Sequence, residues 1–431
     1  MHMLSVDYIK EKWQHAGFQK YLKNTGWIFS MKIFSMAASF LATLYIARNL
    51  GPTNFGQLSY ATSFIGIFSF MASLGIDSVL YRELIKYPDR KREFLGSAFT
   101  IKISAGLISA ILVSISALFW ATDDVSKILI ILLSGTFIFI PFQLIGYEFQ
   151  ARAKSKYPSI IAFLSTLILN TLKVIVIFSG KGVIYLALIL LFEPILYAIF
   201  YWFIYEKQVG EKISQWIFDK TVALTLLKDS WPLIFSSAFA LVYSEIDQIL
   251  IKYMIDAKAV GIYDAAVRIA EGWYFVPNII MASLFPAMIN AKITSKEIYQ
   301  KRLKKISLLL IATALVIAIP TTIFASFIIY IFYGNAFMGG VIILQIYIWS
   351  LIGTFLGSLV VNYIIAENYR KMSLLVNLAP MLVNVILDII WIPKYGIMGP
   401  AYATLIAYSL SPLILLLFKK TRKEMMEVIR I

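Results

Sequence analysis

The sequence contains no cysteine and only two histidines, His2 and His15. Without thiols there is no disulfide framework, no thiolate metal site and no cysteine nucleophile. Both histidines precede the first long apolar run, so no histidine metal site or histidine proton relay is expected inside a membrane. No glycine-rich phosphate loop ending in Lys-Ser/Thr occurs, which argues against ATP as the direct fuel. Charged residues are scarce, at 15%, while hydrophobic residues reach 60%, well above the roughly 45–50% of a soluble domain. No cleavable leader is expected, because residues 1–24 are polar and basic and have no short apolar core. The stretch 4–22 interleaves Leu4, Tyr8, Trp13, Phe18 and Tyr21 with lysines, the pattern of an amphipathic helix lying on a membrane surface.

What fills the chain instead is a succession of apolar runs. Each is near the ~20 residues that carry a helix across a ~30 Å hydrocarbon core. They fall near 27–47, 57–80, 95–120, 126–149, 159–178 and 182–205, then near 231–253, 261–290, 305–332, 338–365, 371–392 and 396–418. Only helices or closed barrels satisfy their backbones inside lipid. The fold class is therefore an all-α polytopic membrane protein of about 12 transmembrane helices. The expected division is an N-terminal segment 1–26, a six-helix bundle 27–205, a polar linker 206–230, a second bundle 231–418 and a tail 419–431.

Lysine and arginine alternate between loops. Of the 39 in the chain, 29 lie in the termini and in every second loop. The opposite loops hold only Arg48, Lys127, Lys181, Lys258 and Lys394. Positive loops stay inside, so both termini are expected in the cytoplasm, and the localisation is the inner (cytoplasmic) membrane. This distribution accounts for most of the net charge of +15 without a nucleic-acid partner. The partners expected are membrane lipids.

The halves echo each other. Leu50-Gly-Pro-Thr-Asn-Phe-Gly56, with Ala61 five residues on, lies between runs one and two. Ile255-Asp-Ala-Lys-Ala-Val-Gly261, with Ala266 five residues on, lies between runs seven and eight. Gly182 opens run six and Gly396 opens run twelve, with Pro194 and Pro412 following. Six runs per half is even, so the two bundles form a parallel repeat. Such repeats commonly rock about a central site.

Ionisable groups inside a bilayer are expensive and mark function by default. Asn384 and Asp388 are four residues apart on one helix face. Asp247 sits deep in run seven, and Thr404 lies eight residues into run twelve. Two carboxylates, an amide oxygen and a hydroxyl make a hard-oxygen site for a small cation. The plainer alternative has Asp388 meeting interfacial water or Lys394. Glu245 is a second candidate for the acid. Arg268, in run eight, suits bidentate contact with phosphate, or else an ion pair with Asp264 or Glu271. Glu271 itself is a candidate substrate contact. Lys32 and Lys173, the latter with Asn170, are further candidate substrate cations, with snorkelling as the alternative for Lys32. Lys102 and Lys252 are expected to snorkel to the interfaces. Glu193 is a possible proton-relay group or a structural carboxyl. Trp273 and Tyr274 either line a cavity or pack. No catalytic set is present, and no metal site is expected beyond a monovalent cation.

The segments Ala47-Arg-Asn-Leu-Gly-Pro-Thr-Asn-Phe-Gly56 and Ala259-Val-Gly-Ile-Tyr-Asp-Ala-Ala-Val-Arg268 resemble loop motifs of polysaccharide flippases. These belong to the multidrug/oligosaccharidyl-lipid/polysaccharide exporter superfamily. The resemblance covers the whole chain. It implies a V-shaped pair of bundles that moves an undecaprenyl-pyrophosphate-linked oligosaccharide from the inner to the outer leaflet, for surface polysaccharides such as O-antigen. It implies polysaccharide assembly proteins as possible partners and no cofactor, with Na+ or H+ as the coupling ion. Asp247, Asn384, Asp388 and Thr404 also resemble the sodium site of lipid II flippases, and Arg268 resembles an arginine on the same span there. The chain departs from those flippases in having only Lys32 on run one and no basic residue in run two before Arg82. That favours a lipid-linked glycan other than the peptidoglycan precursor. Two alternatives carry different sequence demands. A cation-coupled multidrug antiporter wants a dominant acidic pocket. A membrane glycan polymerase or ligase wants a large outer loop.

Overall fold

The computed structural model describes residues 16–367, 369–417 and 421–422. The surface helix expected over 4–22 and the tail 419–431 lie largely outside the described residues. Among the described residues there is helix and no strand. Eleven segments are long and apolar enough to cross a membrane. The first, Met31–Lys86, has 56 residues. At 1.5 Å per residue it is more than twice the hydrocarbon thickness, so it holds spans 1 and 2. The chain turns between them at Gly51, whose φ of 71° lies outside the helical region. Glycine alone adopts that conformation without a Cβ penalty, and Pro52 then restarts the helix with φ already set. Twelve crossings result among the described residues.

Spans 3 to 6 are Pro88–Trp120, Asp124–Ala151, Lys156–Phe178 and Val183–Val209. Span 7 is Lys220–Met254, and span 8 is Ala257–Thr294. Span 8 is broken: one helix, Ala257–Glu271, ends where Gly272 begins a turn, and Phe275–Thr294 follows. Span 9, Lys296–Ile323, is extended by the helix Ala325–Tyr333. Span 10 combines Asn335–Tyr347 with Ser350–Glu367. Spans 11 and 12 are Arg370–Tyr395 and Met398–Leu413.

The helices of each half pack mainly on one another, and the halves meet through spans 1, 2 and 3 on one side and 7, 8, 9 and 10 on the other. Small residues allow close approach. Gly106 lies against the Phe137 carbonyl and Gly353 against the backbone of Tyr408. Without a hydrophobic drive between helices in lipid, such van der Waals contact is a main source of cohesion. Large apolar side chains such as Phe119, Val316, Ile323 and Phe327 face outward, as a lipid-facing surface requires.

Helix extends into the polar stretch 206–230 from both sides. Span 6 runs to Val209 and span 7 begins at Lys220. The loop between them is strapped to the first bundle. Trp216 Nε1 donates to the Tyr205 hydroxyl at 3.1 Å, Glu211 pairs with Lys91 and Arg92, and Asp219 N donates to Ser97 Oγ at 2.9 Å. Asp219 then caps span 7, accepting from the Thr221 and Val222 amides.

Candidate functional site

The turn between spans 1 and 2 and the turn between spans 7 and 8 lie at the same end of the bundle. Their repeated motifs touch. A Cβ built on Gly56 would stand 1.7 Å from the Ala257 carbonyl oxygen and 2.7 Å from the Gly261 nitrogen. One on Gly261 would stand 2.0 Å from the Pro52 oxygen. The two echoed glycines therefore let spans 2 and 8 cross backbone to backbone. One turn deeper, Ser59 Oγ donates to Asp264 Oδ2 at 2.6 Å, from one lobe to the other.

More bonds close this end. Lys252 Nζ pairs with Asp123 Oδ2 at 2.5 Å, and Gln57 Nε2 donates to the other oxygen of Asp123 at 3.0 Å. Arg48 Nη1 donates to the Ile331 carbonyl at 3.0 Å. Lys252 is thus buried in a bridge between lobes and does not snorkel. Burial pushes the Asp123 carboxyl up, but hydrogen bonds from Lys252 and Ser126 outweigh it and hold the group below its usual range. At the opposite end, spans 2 and 7 stay in contact where Gly75 meets Leu233, and Arg82 pairs with Asp229.

Inside this closure is a cavity of about 260 Å³ lined by Thr43, Phe55, Ser59, Lys173 and Arg268 among others. Arg268 comes from the second lobe and Lys173 from the first, so two fixed cations from opposite lobes face one space. Arg268 Nε is held by Asp264 Oδ2 at 2.6 Å, and its guanidinium lies over the Phe55 ring, 5.7 Å from the centroid. Ion pairing with Asp264 and facing the cavity are therefore both true of Arg268. Asn170, one turn from Lys173, donates to Ser39 at 3.2 Å.

The other two candidate substrate contacts sit elsewhere. Lys32 is exposed on span 1, 11 residues before Thr43, or ~16 Å along a helix. Glu271 lies beyond the cavity at the break in span 8, where Tyr347 donates to it at 3.4 Å. Tyr274 likewise turns toward Tyr347 and Tyr408. Lys102 does not snorkel: it is buried and bonds Asp77 at 2.6 Å.

The four candidate cation ligands converge within the second lobe. Asp388 and Asn384 are fully buried, with Asp247 at 5% and Thr404 at 3% exposure. Thr404 Oγ1 donates to Asp247 Oδ2 at 2.9 Å, and Asn384 Nδ2 to Thr404 Oγ1 at 3.3 Å. The Asp388 carboxyl lies against that of Asp247, away from the interfacial water and Lys394 of the alternative reading. Tyr263 closes the set by donating to Asp247 Oδ2. Four oxygens there have no hydrogen-bond partner: Asp247 Oδ1, Asn384 Oδ1 and both of Asp388. Buried acceptors are rarely left empty. Two neighbouring buried carboxylates also repel unless a cation or a proton lies between them. A hard-oxygen donor set of this kind fits Na+ or H+ rather than a soft metal. Glu245 is not part of it. It faces the other lobe, its side chain 3.3 Å from where a Cβ on Gly66 would sit.

Sequence reading missed Tyr263, Ser59 and the role of Asp264. Their one available signal was place. Tyr263 and Asp264 share the short segment between Gly261 and Arg268, and Ser59 follows Gly56 as Asp264 follows Gly261.

Residues 21–293 match the family described as "Polysaccharide biosynthesis protein". A protein of Haemophilus influenzae named "Uncharacterized membrane protein" is 22% identical over 84% of this chain and 89% of its own length. The "Probable low-salt glycan biosynthesis flippase Agl15" of Haloferax volcanii is 22% identical over 89% of this chain and 80% of its own. A solved structure described as lipid II flippase MurJ in an inward closed conformation superposes with a TM-score of 0.71 at 18% identity, covering 93% of this chain and 89% of that one.

Proposed function

The chain belongs to the polysaccharide biosynthesis protein family, and we propose that within it this protein is a flippase for a lipid-linked oligosaccharide, working by alternating access between its two lobes. The observation that carries this reading is the cavity between the lobes with Arg268 from one side and Lys173 from the other. A pyrophosphate carries about two negative charges, and moving charge through hydrocarbon costs many kcal/mol unless fixed counter-charges accompany it. Arginine offers a planar fork matched to phosphate oxygens. The relative named a probable glycan biosynthesis flippase points to the same class of cargo. An undecaprenyl-type carrier and a surface polysaccharide such as O-antigen are the expected substrate and product. The cavity is not dominated by acids, which disfavours a multidrug antiporter.

The charge bias of the loops puts the Gly56–Gly261 end outside, both termini in the cytoplasm and the protein in the cytoplasmic membrane. The described state is then closed to the outside. The phosphate end of the lipid enters from the inner leaflet, while the chain stays in the bilayer. Arg268 and Lys173 hold the phosphates as the lobes rock. The Asp247, Asn384, Asp388 and Thr404 site takes a coupling cation, Na+ or H+. Through Tyr263 it reaches span 8, five residues from Arg268.

The test is export in cells that make the polysaccharide. Arg268→Ala should leave protein level unchanged and accumulate glycan-loaded lipid in the inner leaflet. Normal surface polysaccharide from Arg268→Ala, Lys173→Ala refutes the cationic cavity.

A further inference from the structure

Spans 2 and 8 hold the same place in the two repeats. Counted from Gly56 and Gly261, Ser59 corresponds to Asp264, and Ser63 to Arg268. Corresponding positions meet where the spans cross. The glycines touch first, and the Ser59–Asp264 bond follows one turn deeper. The repeat is symmetric in place but not in chemistry: one lobe brings a neutral donor and the other a carboxylate.

That carboxylate has a second task. Asp264 Oδ2, the oxygen that takes the Ser59 proton at 2.6 Å, also takes Arg268 Nε at 2.6 Å. With spans 2 and 8 in contact Asp264 is 4% exposed, whereas the Arg268 side chain is 38% exposed and faces the cavity. A carboxylate oxygen has two lone pairs, and here one is spent on the far lobe and one on the arginine.

We propose that Asp264 is a positioning residue that couples the outer gate to the phosphate-binding edge of Arg268. With the gate shut, Ser59 shares the oxygen, and the guanidinium is presented to the cavity. When spans 2 and 8 part, Ser59 is withdrawn. Arg268 is then the side-chain donor left to that oxygen, the pair tightens, and the arginine competes less well for phosphate. The anion is held while the gate is closed and released when it opens. Linkage requires the reverse as well: an anion on Arg268 favours the closed gate.

The coupling rests on the proposed role of Arg268, and the test separates the two. The chain has no cysteine, so Thr43→Cys places a single thiol in the cavity wall. The full-length protein is assayed in right-side-out membrane vesicles with a membrane-impermeant maleimide outside and inorganic pyrophosphate loaded inside. Internal pyrophosphate should slow labelling. Ser59→Ala should raise labelling without pyrophosphate by about tenfold, the scale of one hydrogen bond to a charged group, and should raise the pyrophosphate concentration needed for protection. Ser59→Thr, which keeps the hydroxyl, should restore both. Asp264→Asn should label fast and lose the pyrophosphate response. Unchanged labelling and unchanged pyrophosphate dependence in Ser59→Ala, with the response lost in Arg268→Ala, overturns the coupling alone. A full response retained in Arg268→Ala overturns the phosphate role of Arg268 and the coupling with it.

Discussion

Gly56→Ala is the smallest change that should jam the outer gate. The new Cβ would lie 1.7 Å from the Ala257 oxygen, where ordinary contact begins at 3.4 Å. The obstacle is backbone on a neighbouring helix, so no side chain can swing aside. Spans 2 and 8 must separate by roughly 1.5 Å or more at their crossing, and overpacking of this kind costs about 1–3 kcal/mol. The clash exists only while the lobes are closed, so the cost falls on the gate equilibrium and not on the fold. A shift of about 2 kcal/mol changes that equilibrium about 30-fold. The expected result is a protein at normal level whose cavity is labelled from outside at Thr43→Cys tens of times faster, and whose export falls sharply. Gly261→Ala should do the same, because its Cβ would stand 2.0 Å from the Pro52 oxygen. Gly357→Ala is the control: its nearest neighbour is Ser411 Oγ at 3.6 Å, and alanine favours the helix it sits in. Normal export and parental labelling in Gly56→Ala would refute the crossing as a gate.

The other expectations concern charges. Arg268→Lys keeps the charge but loses the fork, so export should fall about tenfold or more, and Arg268→Ala further, as measured by surface glycan at constant protein level. Asp388→Asn should abolish any dependence of export on a sodium or proton gradient; gradient dependence that survives in both Asp388→Asn and Asp247→Asn would remove the cation site. The Asp123 carboxylate, faced by Lys252, Gln57, Ser126 and Tyr60, is held below the usual range in the closed state. Its contribution to closure is therefore complete at neutral pH and is lost as pH falls through and below the ordinary carboxylate range near ~4. In the Thr43→Cys protein, outside labelling relative to that of a freely exposed thiol at the same pH should rise there, and Asp123→Asn should label fast at neutral pH with that acid dependence gone.

Much of the architecture was legible because length and apolarity are local properties. A run near 20 residues needs no partner to be recognised as a span. The grouping of the four candidate cation-site residues was legible for a similar reason: a spacing of four puts Asn384 and Asp388 on one face, and the place of Asp247 and Thr404 within runs seven and twelve gives their depth. What escaped was set by contacts distant in sequence. Lys252 reads as a snorkelling lysine until Asp123, 129 residues earlier, is brought beside it. Lys102 reads the same way until Asp77 folds onto it. Ser59 looks like any small polar residue in a span, and its partner Asp264 is 205 residues away. Glu271 is three residues from Arg268 on the same helix, and that spacing alone does not reveal its partner on span 10. It is the last residue before the turn at Gly272, and it accepts from Tyr347, 76 residues away in sequence.

The most direct measurement is flipping by the purified protein. A polyprenyl-pyrophosphate-linked oligosaccharide with a fluorescent sugar is placed in proteoliposomes, and a membrane-impermeant quencher is added outside. Without protein, about half of the fluorescence should remain protected. With the parent chain the protected half should become accessible over minutes, and Arg268→Ala, Lys173→Ala should return the rate close to that of empty vesicles. A parent rate equal to that of empty vesicles, or a double variant as fast as the parent, would contradict transport through the cationic cavity.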